Sequence, residues 1–288
     1  MIRKAVIPAA GFGTRFLPAT KSQPKEMLPI VDTPVIQYVV EEAVASGITD
    51  ILMVIGKGKR AIEEHFDRSF QLESQLLEKN KTAELEAVRR ISDLADIHFV
   101  WQKEMKGLGD AIYCGRFHVN DEPFAVLLGD TLMDSAVPAT KQLLDVYEQY
   151  ESPVVLLEEV ERSRVSRYGV IDGAEISPGV YKVDDFVEKP AVAEAPSNLV
   201  IASRYIFTPD IFDYIARTEP GKGGEIQITD AMGMMVKDRA MYGVCLEGRR
   251  CDIGNKEGFV RTNIEFALKR PDMAEGLKGY IKRLAEGL

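Results

Sequence analysis

The chain has 288 residues, of which 45% are hydrophobic and 28% charged, and it carries a formal net charge of −9. That composition is typical of a globular protein with a sizeable core, and the negative charge argues against binding to nucleic acid or to an anionic membrane. No apolar run approaches the ~18 residues of a membrane span, and the N-terminus lacks signal-peptide features. We therefore expect a cytoplasmic protein.

Strands and helices alternate over the first part of the chain. Apolar runs predict strands at Ala5–Ala9, Asp50–Ile55, Ile97–Trp101, Phe124–Leu128 and Pro153–Leu157. Helical spacing predicts helices at Val35–Ser46, Gly109–Phe117 and Pro138–Tyr150, and a loop followed by a helix at Gly56–Phe66. This alternation predicts an α/β fold with a mostly parallel sheet and helices on both faces.

One segment, residues 69–92, interrupts the alternation. It is rich in Glu, Lys, Arg, Leu and Gln, and its apolar residues fit two amphipathic helices broken near Asn80. We interpret it as an inserted helical hairpin, which either covers the surface or contacts a partner.

The second half continues without a linker or an internal repeat. Strands are predicted at Tyr168–Ile171, Tyr181–Glu188, Leu199–Phe207 (with a break at Arg204) and Met241–Leu246. Helices are predicted at Asp210–Arg217, Ile226–Lys237, Asn255–Leu268 and Met273–Leu284. A single domain over residues 1–288 follows from this continuity.

Cysteines and histidines give no sign of a metal or redox centre. Cys114, Cys245 and Cys251 match no zinc or redox spacing. The histidines at positions 65, 98 and 118 lie far apart in sequence. We therefore expect structural roles for them and no histidine metal cluster.

The first thirty residues carry the most informative motif. After the first strand, Gly11 and Gly13 form a glycine loop that prolines keep from becoming a helix. The loop lacks the Lys-Ser/Thr pair of a Walker A motif, and Phe16 stands where a dinucleotide fingerprint needs its third glycine. Because Arg15 and Lys25 add fixed cations to free backbone N–H groups, we predict a seat for the phosphates of a nucleoside triphosphate.

Several motifs, in order along nearly the whole chain, give a specific resemblance. They are Gln102 and residues 9–18 (AAGFGTRFLP), 24–29 (PKEMLP), 106–111 (KGLGDA), 128–130 (LGD), 168–171 (YGVI), 187–190 (VEKP), 224–230 (GEIQITD) and 252–256 (DIGNK). This set resembles the sugar-1-phosphate nucleotidylyltransferases. Ala10 favours the uridylyl branch over the deoxythymidylyl branch, and Asp110 departs from the histidine that members often carry, without a functional consequence that we can assign.

The resemblance implies a fold and a reaction. The fold would be Rossmann-like, of the glycosyltransferase-A-like nucleotidylyltransferase type, with a mixed, mostly parallel sheet. The reaction would be Mg²⁺-dependent: glucose 1-phosphate attacks the α-phosphorus of UTP in line, giving UDP-glucose and pyrophosphate. The attacking phosphate has a second pKa of about 6, so no general base is needed and catalysis rests on positioning, cations and the metal.

The resemblance also assigns residues. It implies a nucleotide-binding half (1–160, with the insertion 69–92), a sugar-binding half (161–254) and C-terminal helices (255–288). The nucleotide residues would be Ala9, Ala10, Gly11, Gly13, Thr14, Arg15, Lys25, Gln102, Gly107 and Asp130, with catalytic roles for Arg15, Lys25 and Lys189. Sugar-phosphate contacts would come from Gly169, Glu188 and Lys189, and metal ligands from Asp130 and Asp252.

Some alternatives stay open. Glu225 and Asp230 match the family pattern but could equally only cap and solvate their helix. A thymidylyltransferase, or a non-catalytic nucleotide-sensing subunit on the same fold, would share most of these motifs. The family is usually oligomeric, so we expect a homo-oligomer, a tetramer or a dimer.

Overall fold

A computed structural model describes residues 1–287, with Lys222 described by its backbone alone, and its centre is a nine-stranded sheet. The strands are β1 Lys4–Ala9, β2 Pro29–Ile30, β3 Thr33–Pro34, β4 Asp50–Ile55, β5 Asp96–Trp101, β6 Phe124–Leu127, β7 Leu132–Asp134, β8 Val154–Glu159, β9 Gly169–Ser177, β10 Val180–Glu188, β11 Leu199–Phe207, β12 Met241–Cys245 and β13 Arg249–Cys251. The helices are α1 Val35–Ala45, α2 Arg60–Phe66, α3 Phe70–Glu78, α4 Thr82–Ser92, α5 Leu108–Tyr113, α6 Arg116–Val119, α7 Ala139–Tyr150, α8 Ile211–Arg217, α9 Ile228–Asp238, α10 Lys256–Lys269 and α11 Ala274–Glu286.

The sheet is mixed, as predicted, and its two parts differ in strand direction. The strand order is β5-β4-β1-β6-β11-β8-β12-β10-β9. β5, β4, β1 and β6 are parallel, whereas β11 runs antiparallel to β6 and β8, and β10 runs antiparallel to β9 and β12. The carboxyl ends of the parallel strands meet at one edge, where open α/β sheets bind their ligands.

Helices cover both faces of the sheet. Successive side chains of each buried strand point to opposite faces, so one strand contributes to two core clusters. Ile7 of β1 belongs to a core cluster with side chains of α1 and α7. Its neighbour Val6 belongs to a second cluster with side chains of α5, α8 and α9. Within residues 1–287, no helix has the length and apolar character that crossing a membrane requires.

Two predicted elements differ in detail. The single helix predicted at 109–117 is wrong, because the chain forms α5 and α6 on either side of Gly115. A Cβ at Gly115 would lie 2.9 Å from Val6 Cγ2, so the chain bends closely over β1. The break predicted at Arg204 is a β-bulge: the register of β11 against β8 shifts between Ile201 and Tyr205, and Ser203 has φ +64°.

The helical hairpin predicted at 69–92 is present as α3 and α4, and Asn80 lies between them with φ +53°. The C-terminal segment predicted at 255–288 contains α10 and α11, and its last residue, Leu288, lies outside the described residues. The pairs β2–β3 and β7–β13 were not predicted. Strands this short have no periodicity from which the sequence could reveal them.

Two of the histidines lie close together in the structure although they are far apart in sequence. His98 on β5 and His118 on α6 have ring centroids 4.9 Å apart, and both approach Asp50 at the start of β4. The sequence does not reveal this contact, because the three residues are far apart along the chain. They meet only where β4, β5 and α6 lie side by side in the fold.

Candidate active site

The glycine loop follows β1 and packs directly on Lys25. Gly13 has φ 66° and ψ 34°, in the left-handed region, and a Cβ there would lie 2.8 Å from the Lys25 Cβ. Thr20 Oγ1 donates a hydrogen bond of 2.7 Å to the Gly13 carbonyl. Glycine is therefore needed at position 13 both for its backbone conformation and for the space beside Lys25.

A buried ion pair supports the loop from below. Lys59 Nζ lies 2.6 Å from Glu26 Oε2 and donates a second hydrogen bond of 2.6 Å to the Gly11 carbonyl. Both residues are almost fully buried, so desolvation raises the pKa of Glu26 and lowers the pKa of Lys59. This pair was not predicted, because nothing in the sequence spacing of Glu26 and Lys59 indicates that they meet.

A cavity of about 250 Å³ lies over the loop. Its lining includes the glycine loop, Arg15, Lys25, Asp130 and Gly254. Within residues 1–287, no carboxylate pairs with Arg15, and the backbone N–H groups at positions 11–13 donate no hydrogen bond. Two cations and free N–H groups around one cavity can bind a polyphosphate.

Lys25 and Asp130 form an ion pair at the floor of the site. Lys25 Nζ lies 2.5 Å from Asp130 Oδ2. Burial disfavours the charge on each group, but the attraction between them outweighs it, so the pKa of Asp130 is lowered and that of Lys25 is raised, with Glu26 helping to raise it. Both groups are therefore charged at neutral pH.

A second cavity, of about 260 Å³, adjoins the first. Gly11, Lys25 and Asp130 line both cavities, so they form the boundary between them. The other predicted nucleotide residues in this second cavity are Ala9, Ala10, Gln102 and Gly107. The structure thus brings the residues predicted for nucleotide binding into two adjoining cavities, one cationic and one with an amide.

The amide of Gln102 is held in one orientation. Its Nε2 donates to Asp110 Oδ2 at 2.8 Å and to the Gly107 carbonyl at 3.2 Å. Because an ionised carboxylate and a carbonyl can only accept, the amide nitrogen must face them and Oε1 remains as the free acceptor. Asp110, to which the sequence analysis gave no role, therefore fixes the polarity of this amide.

Gly107 connects the two halves of the chain. It has φ 100°, and a Cβ there would lie 2.8 Å from both the Glu225 Cβ and the Ile226 carbonyl oxygen. The Ile226 N–H donates to the Lys106 carbonyl at 2.7 Å, and the Gly109 N–H donates to the Ile226 carbonyl at 2.9 Å. Glu225 lines the second cavity, so the loop before α9 forms part of its wall.

The residues predicted for the sugar phosphate also lie together, outside both cavities. Glu188 ends β10 opposite Gly169 on β9, and Lys189 Nζ lies 2.6 Å from Glu188 Oε1. Thr229 on α9, which the sequence analysis did not single out, donates to Glu188 Oε2 at 2.8 Å. Thr229 follows Glu225 by four residues, so one short segment leads from the second cavity to this cluster.

Two further features mark this cluster. Lys189 has φ +45°, a left-handed conformation that is unfavourable for a residue with a side chain, and its N–H donates to the Tyr168 carbonyl at 3.0 Å. Burial, and next the charge of Glu188, raise the pKa of Asp230. Asp230 thus adds a carboxyl group near Glu188 in addition to its place in the first turn of α9.

Asp252 reaches the site through the short pair β7–β13. In that pair Cys251 lies opposite Leu132, which follows Asp130 by two residues, so both aspartates lie at the same end of the ladder. The position of a Cβ on Gly254 is 3.7 Å from Asp252 Oδ1 and 3.4 Å from Arg15 Nη1. Asp252 Oδ2 also lies 3.8 Å from Arg164 Nη2 and lines a neighbouring cavity with it.

Known proteins share this chain's sequence and structure over nearly its full length. The nucleotidyl transferase family model matches residues 4–267. A Staphylococcus epidermidis protein named UTP–glucose-1-phosphate uridylyltransferase is 54% identical over 283 residues, which is 98% of each chain.

Solved structures agree. A UDP-glucose pyrophosphorylase complexed with UDP-glucose is 45% identical, with a TM-score of 0.87 over 94% of this chain and 100% of that one. A UTP-bound enzyme of this kind from Acinetobacter baumannii is 35% identical, with a TM-score of 0.90 over 99% of this chain and 100% of that one. The resemblance predicted from the motifs is confirmed.

Proposed function

We propose that this chain transfers uridylyl from UTP to glucose 1-phosphate. It belongs to the nucleotidyl transferase family and, within it, to the UTP–glucose-1-phosphate uridylyltransferases. The observation that carries the proposal is the Lys25–Asp130 pair, which lies between a cationic cavity and a cavity with a fixed amide. The triphosphate of a nucleotide fits the cationic cavity, and its base fits the adjoining cavity with the amide.

The chain's cations provide what the reaction needs. A phosphate oxygen of glucose 1-phosphate forms a bond to the α-phosphorus while the bond to the β-phosphate oxygen breaks, and pyrophosphate leaves. Arg15 and Lys25 hold the triphosphate, and Arg15 stabilises the charge that develops on pyrophosphate. Lys189 holds the attacking phosphate and Glu188 accepts hydrogen bonds from glucose hydroxyls, with Gly169 beside them leaving room for the ring.

Gln102 selects the base. Uracil presents an N3–H donor, which the free Oε1 acceptor of Gln102 can bind, whereas cytosine presents an acceptor at N3. The wrong base would leave two acceptors facing each other, which buried sites reject strongly. Thymine presents the same donor, so this contact does not separate UTP from dTTP.

Asp130 and Asp252 would hold Mg²⁺. Carboxylate oxygens together with substrate phosphates suit this ion, and the contact of Asp130 Oδ1 with Thr131 Oγ1 is long, at 3.4 Å. When bound, Mg²⁺ neutralises charge on the triphosphate. Asp252 can reach the same region, although Arg164 competes for its carboxylate.

The proposal also covers the division of the chain, its location and its oligomeric state. Residues 1–160, with the insertion 69–92, bind the nucleotide, residues 161–254 bind the sugar phosphate, and residues 255–288 add the C-terminal helices of a single domain. The protein works in the cytoplasm, a location supported by its free cysteines. It forms a homo-oligomer, tetramer or dimer.

Pyrophosphate release tests the function. Purified protein receives glucose 1-phosphate and Mg²⁺ with UTP, dTTP, ATP, CTP or GTP in separate reactions. We expect release with UTP. Absence of release with every nucleotide would favour a sensing subunit and refute the enzyme, and a strong preference for dTTP would refute the uridylyl assignment.

Asp130→Asn tests the metal site. The change keeps the shape of the side chain but removes its charge, so we expect Mg²⁺-dependent turnover to fall by more than about a hundredfold. The circular dichroism spectrum checks that the protein stays folded. Turnover close to that of the unaltered protein would show that Asp130 does not hold the metal.

A further inference from the structure

Asp50, His98 and His118 form a cluster that the proposed reaction does not use. His118 Nε2 lies 2.7 Å from Asp50 Oδ1, and His98 Nε2 lies 3.8 Å from the same oxygen. The three ligand atoms all lie within 4.8 Å of one another. Two imidazoles therefore converge on one carboxylate oxygen.

The cluster joins three separate elements. Asp50 begins β4, and His98 lies on the neighbouring edge strand β5, opposite Leu52. Asp50 and Leu52 are two residues apart, so Asp50 and His98 project from the same face of the sheet. His118, on α6, closes the cluster from above this face.

Lys4, which lies opposite Asp50 in the β1–β4 pair, has other partners. Lys4 Nζ lies 3.2 Å from the His118 carbonyl, 3.3 Å from the Val119 carbonyl and 2.5 Å from Glu122. An ammonium group has three donors, so these contacts use all of them. Within residues 1–287, the imidazoles of His98 and His118 are the ionisable partners that reach the Asp50 carboxylate.

We propose that Asp50, His98 and His118 bind a divalent transition-metal ion of the zinc type, with water as the fourth ligand. Imidazole nitrogens suit such ions, whereas Mg²⁺ prefers oxygen alone. Bonds of about 2.0–2.1 Å in a tetrahedral site put ligand atoms about 3.4 Å apart. The separations of 2.7 and 3.8 Å from Asp50 Oδ1 bracket that value, so shifts below about 1 Å would complete the site.

Such an ion would tie the edge strand β5 and helix α6 to β4. It would stabilise the folded chain because the unfolded chain does not hold the three ligands together. This role is independent of the proposed transferase activity.

Metal titration of the full chain tests the site. The protein is treated with EDTA, dialysed, and titrated with Zn²⁺ by calorimetry in the absence of nucleotide; Co²⁺ serves as a visible probe of tetrahedral geometry. We expect one equivalent of Zn²⁺, a tetrahedral Co²⁺ spectrum and a higher melting temperature with Zn²⁺. His98→Ala should weaken Zn²⁺ binding at least about tenfold.

The His98 side chain is 55% exposed, so its removal leaves the core intact. His65→Ala is the matched control, since His65 contacts Gln37 instead, and it should bind Zn²⁺ like the unaltered chain. Asp50→Asn gives a second variant with nearly the same shape and should also weaken binding. Absence of Zn²⁺ binding, or binding that His98→Ala leaves unchanged, would overturn the proposal.

Discussion

At the scale of single residues, Asp110 fixes the orientation of the Gln102 amide, which we propose to contact the nucleotide base. Its carboxylate takes the Nε2 donor of Gln102 at 2.8 Å and so leaves the Oε1 acceptor for the ligand. An asparagine at this position can donate as well as accept, which would allow the Gln102 amide to turn over. The polarity of the base contact therefore depends on a residue that is not expected to touch the base.

We expect Asp110→Asn to lower the preference for UTP over CTP by about tenfold. A fixed hydrogen bond contributes about 1–2 kcal/mol to discrimination between the two bases, and the substitution removes it. The ratio of kcat/KM values for the two nucleotides measures this preference. Asp121→Asn removes the same charge from an exposed loop and should leave the ratio unchanged. An unchanged ratio in Asp110→Asn would mean that Gly107 alone orients the amide.

Residues that the sequence motifs singled out come together in the structure. Arg15, Lys25 and Asp130 line one cavity, and Glu188 and Lys189 are in contact. Prediction from the sequence failed where a contact depends on tertiary packing alone. Lys59 lies 33 positions from Glu26 in sequence, and the Asp50–His98–His118 cluster comes from three elements with no shared local pattern.

At the scale of elements, the bulge in β11 turns Arg204 into the core. Arg204 is 1% exposed and forms a bidentate pair with Glu42 of α1, with Nη2–Oε2 at 2.6 Å and Nε–Oε1 at 2.9 Å. Its Nη2 also donates to the carbonyl of Thr131, the residue after Asp130. The bulge therefore links two elements to the loop that carries the proposed metal ligand.

Arg204→Met should lower the free energy of unfolding by about 3–5 kcal/mol, because Glu42 would be left buried without its partner. Urea unfolding followed by circular dichroism measures this change. Arg90→Met, on the exposed face of α4, is the control and should stay within about 0.5 kcal/mol of the unaltered protein. Equal stability of the two variants would contradict a structural role for the pair.

One buried carboxylate, that of Glu73, connects the two helices of the hairpin α3–α4. Glu73 accepts from Arg68 Nε at 3.0 Å, from Arg68 Nη2 at 2.7 Å and from Arg89 Nε at 2.8 Å. These hydrogen bonds, first those from Arg68, lower the pKa of Glu73 from 4.5 to about 2. A carboxyl with a lowered pKa stabilises the folded state above its unfolded pKa and loses that effect as the pH falls.

We therefore expect the hairpin to lose hydrogen-exchange protection before the sheet does as the pH falls from about 5 to about 2. Exchange followed by mass spectrometry resolves the two regions, with rates corrected for the intrinsic effect of pH. Glu73→Gln should reduce protection already at neutral pH, and Glu78→Gln, on the exposed side of α3, should not. Protection of the hairpin that does not change with pH would rule out this role for Glu73.

Elements were predictable from sequence in proportion to their length and burial. The continuous apolar runs of β1, β4 and β6 were recognisable, because buried parallel strands are apolar throughout. β7 and β13, of three residues each, were not, although their pairing brings Asp252 towards Asp130. The second proposed metal ligand is thus positioned by strands that are too short to predict from sequence.

At the scale of the whole molecule, apolar side chains remain exposed on the C-terminal helices. Val260 and Ile264 of α10 and Tyr280 and Leu284 of α11 are each between 38% and 56% exposed. Phe70 and Leu77 of the hairpin are more exposed still, at 68% and 61%. Patches of this kind are typical of surfaces that bind another protein.

We expect the purified protein to form a homo-oligomer, and light scattering coupled to gel filtration measures its mass. Replacing Tyr280 and Leu284 together by Ser should lower that mass if α11 is the contact. The same double change at Phe70 and Leu77 tests the hairpin separately. A monomer at every concentration of the unaltered chain would refute the oligomer.

The ion pair of Lys25 and Asp130 has a consequence for the order in which the site assembles. A metal ion that approaches Asp130 meets an ammonium group 2.5 Å from the same carboxylate, whereas a triphosphate attracts that ammonium group away from it. If Asp130 holds the metal as proposed, Lys25 would be its counter-ion in the empty site and would turn to the phosphates when nucleotide binds. Nucleotide and metal should each strengthen the binding of the other by the same factor, since such coupling is reciprocal.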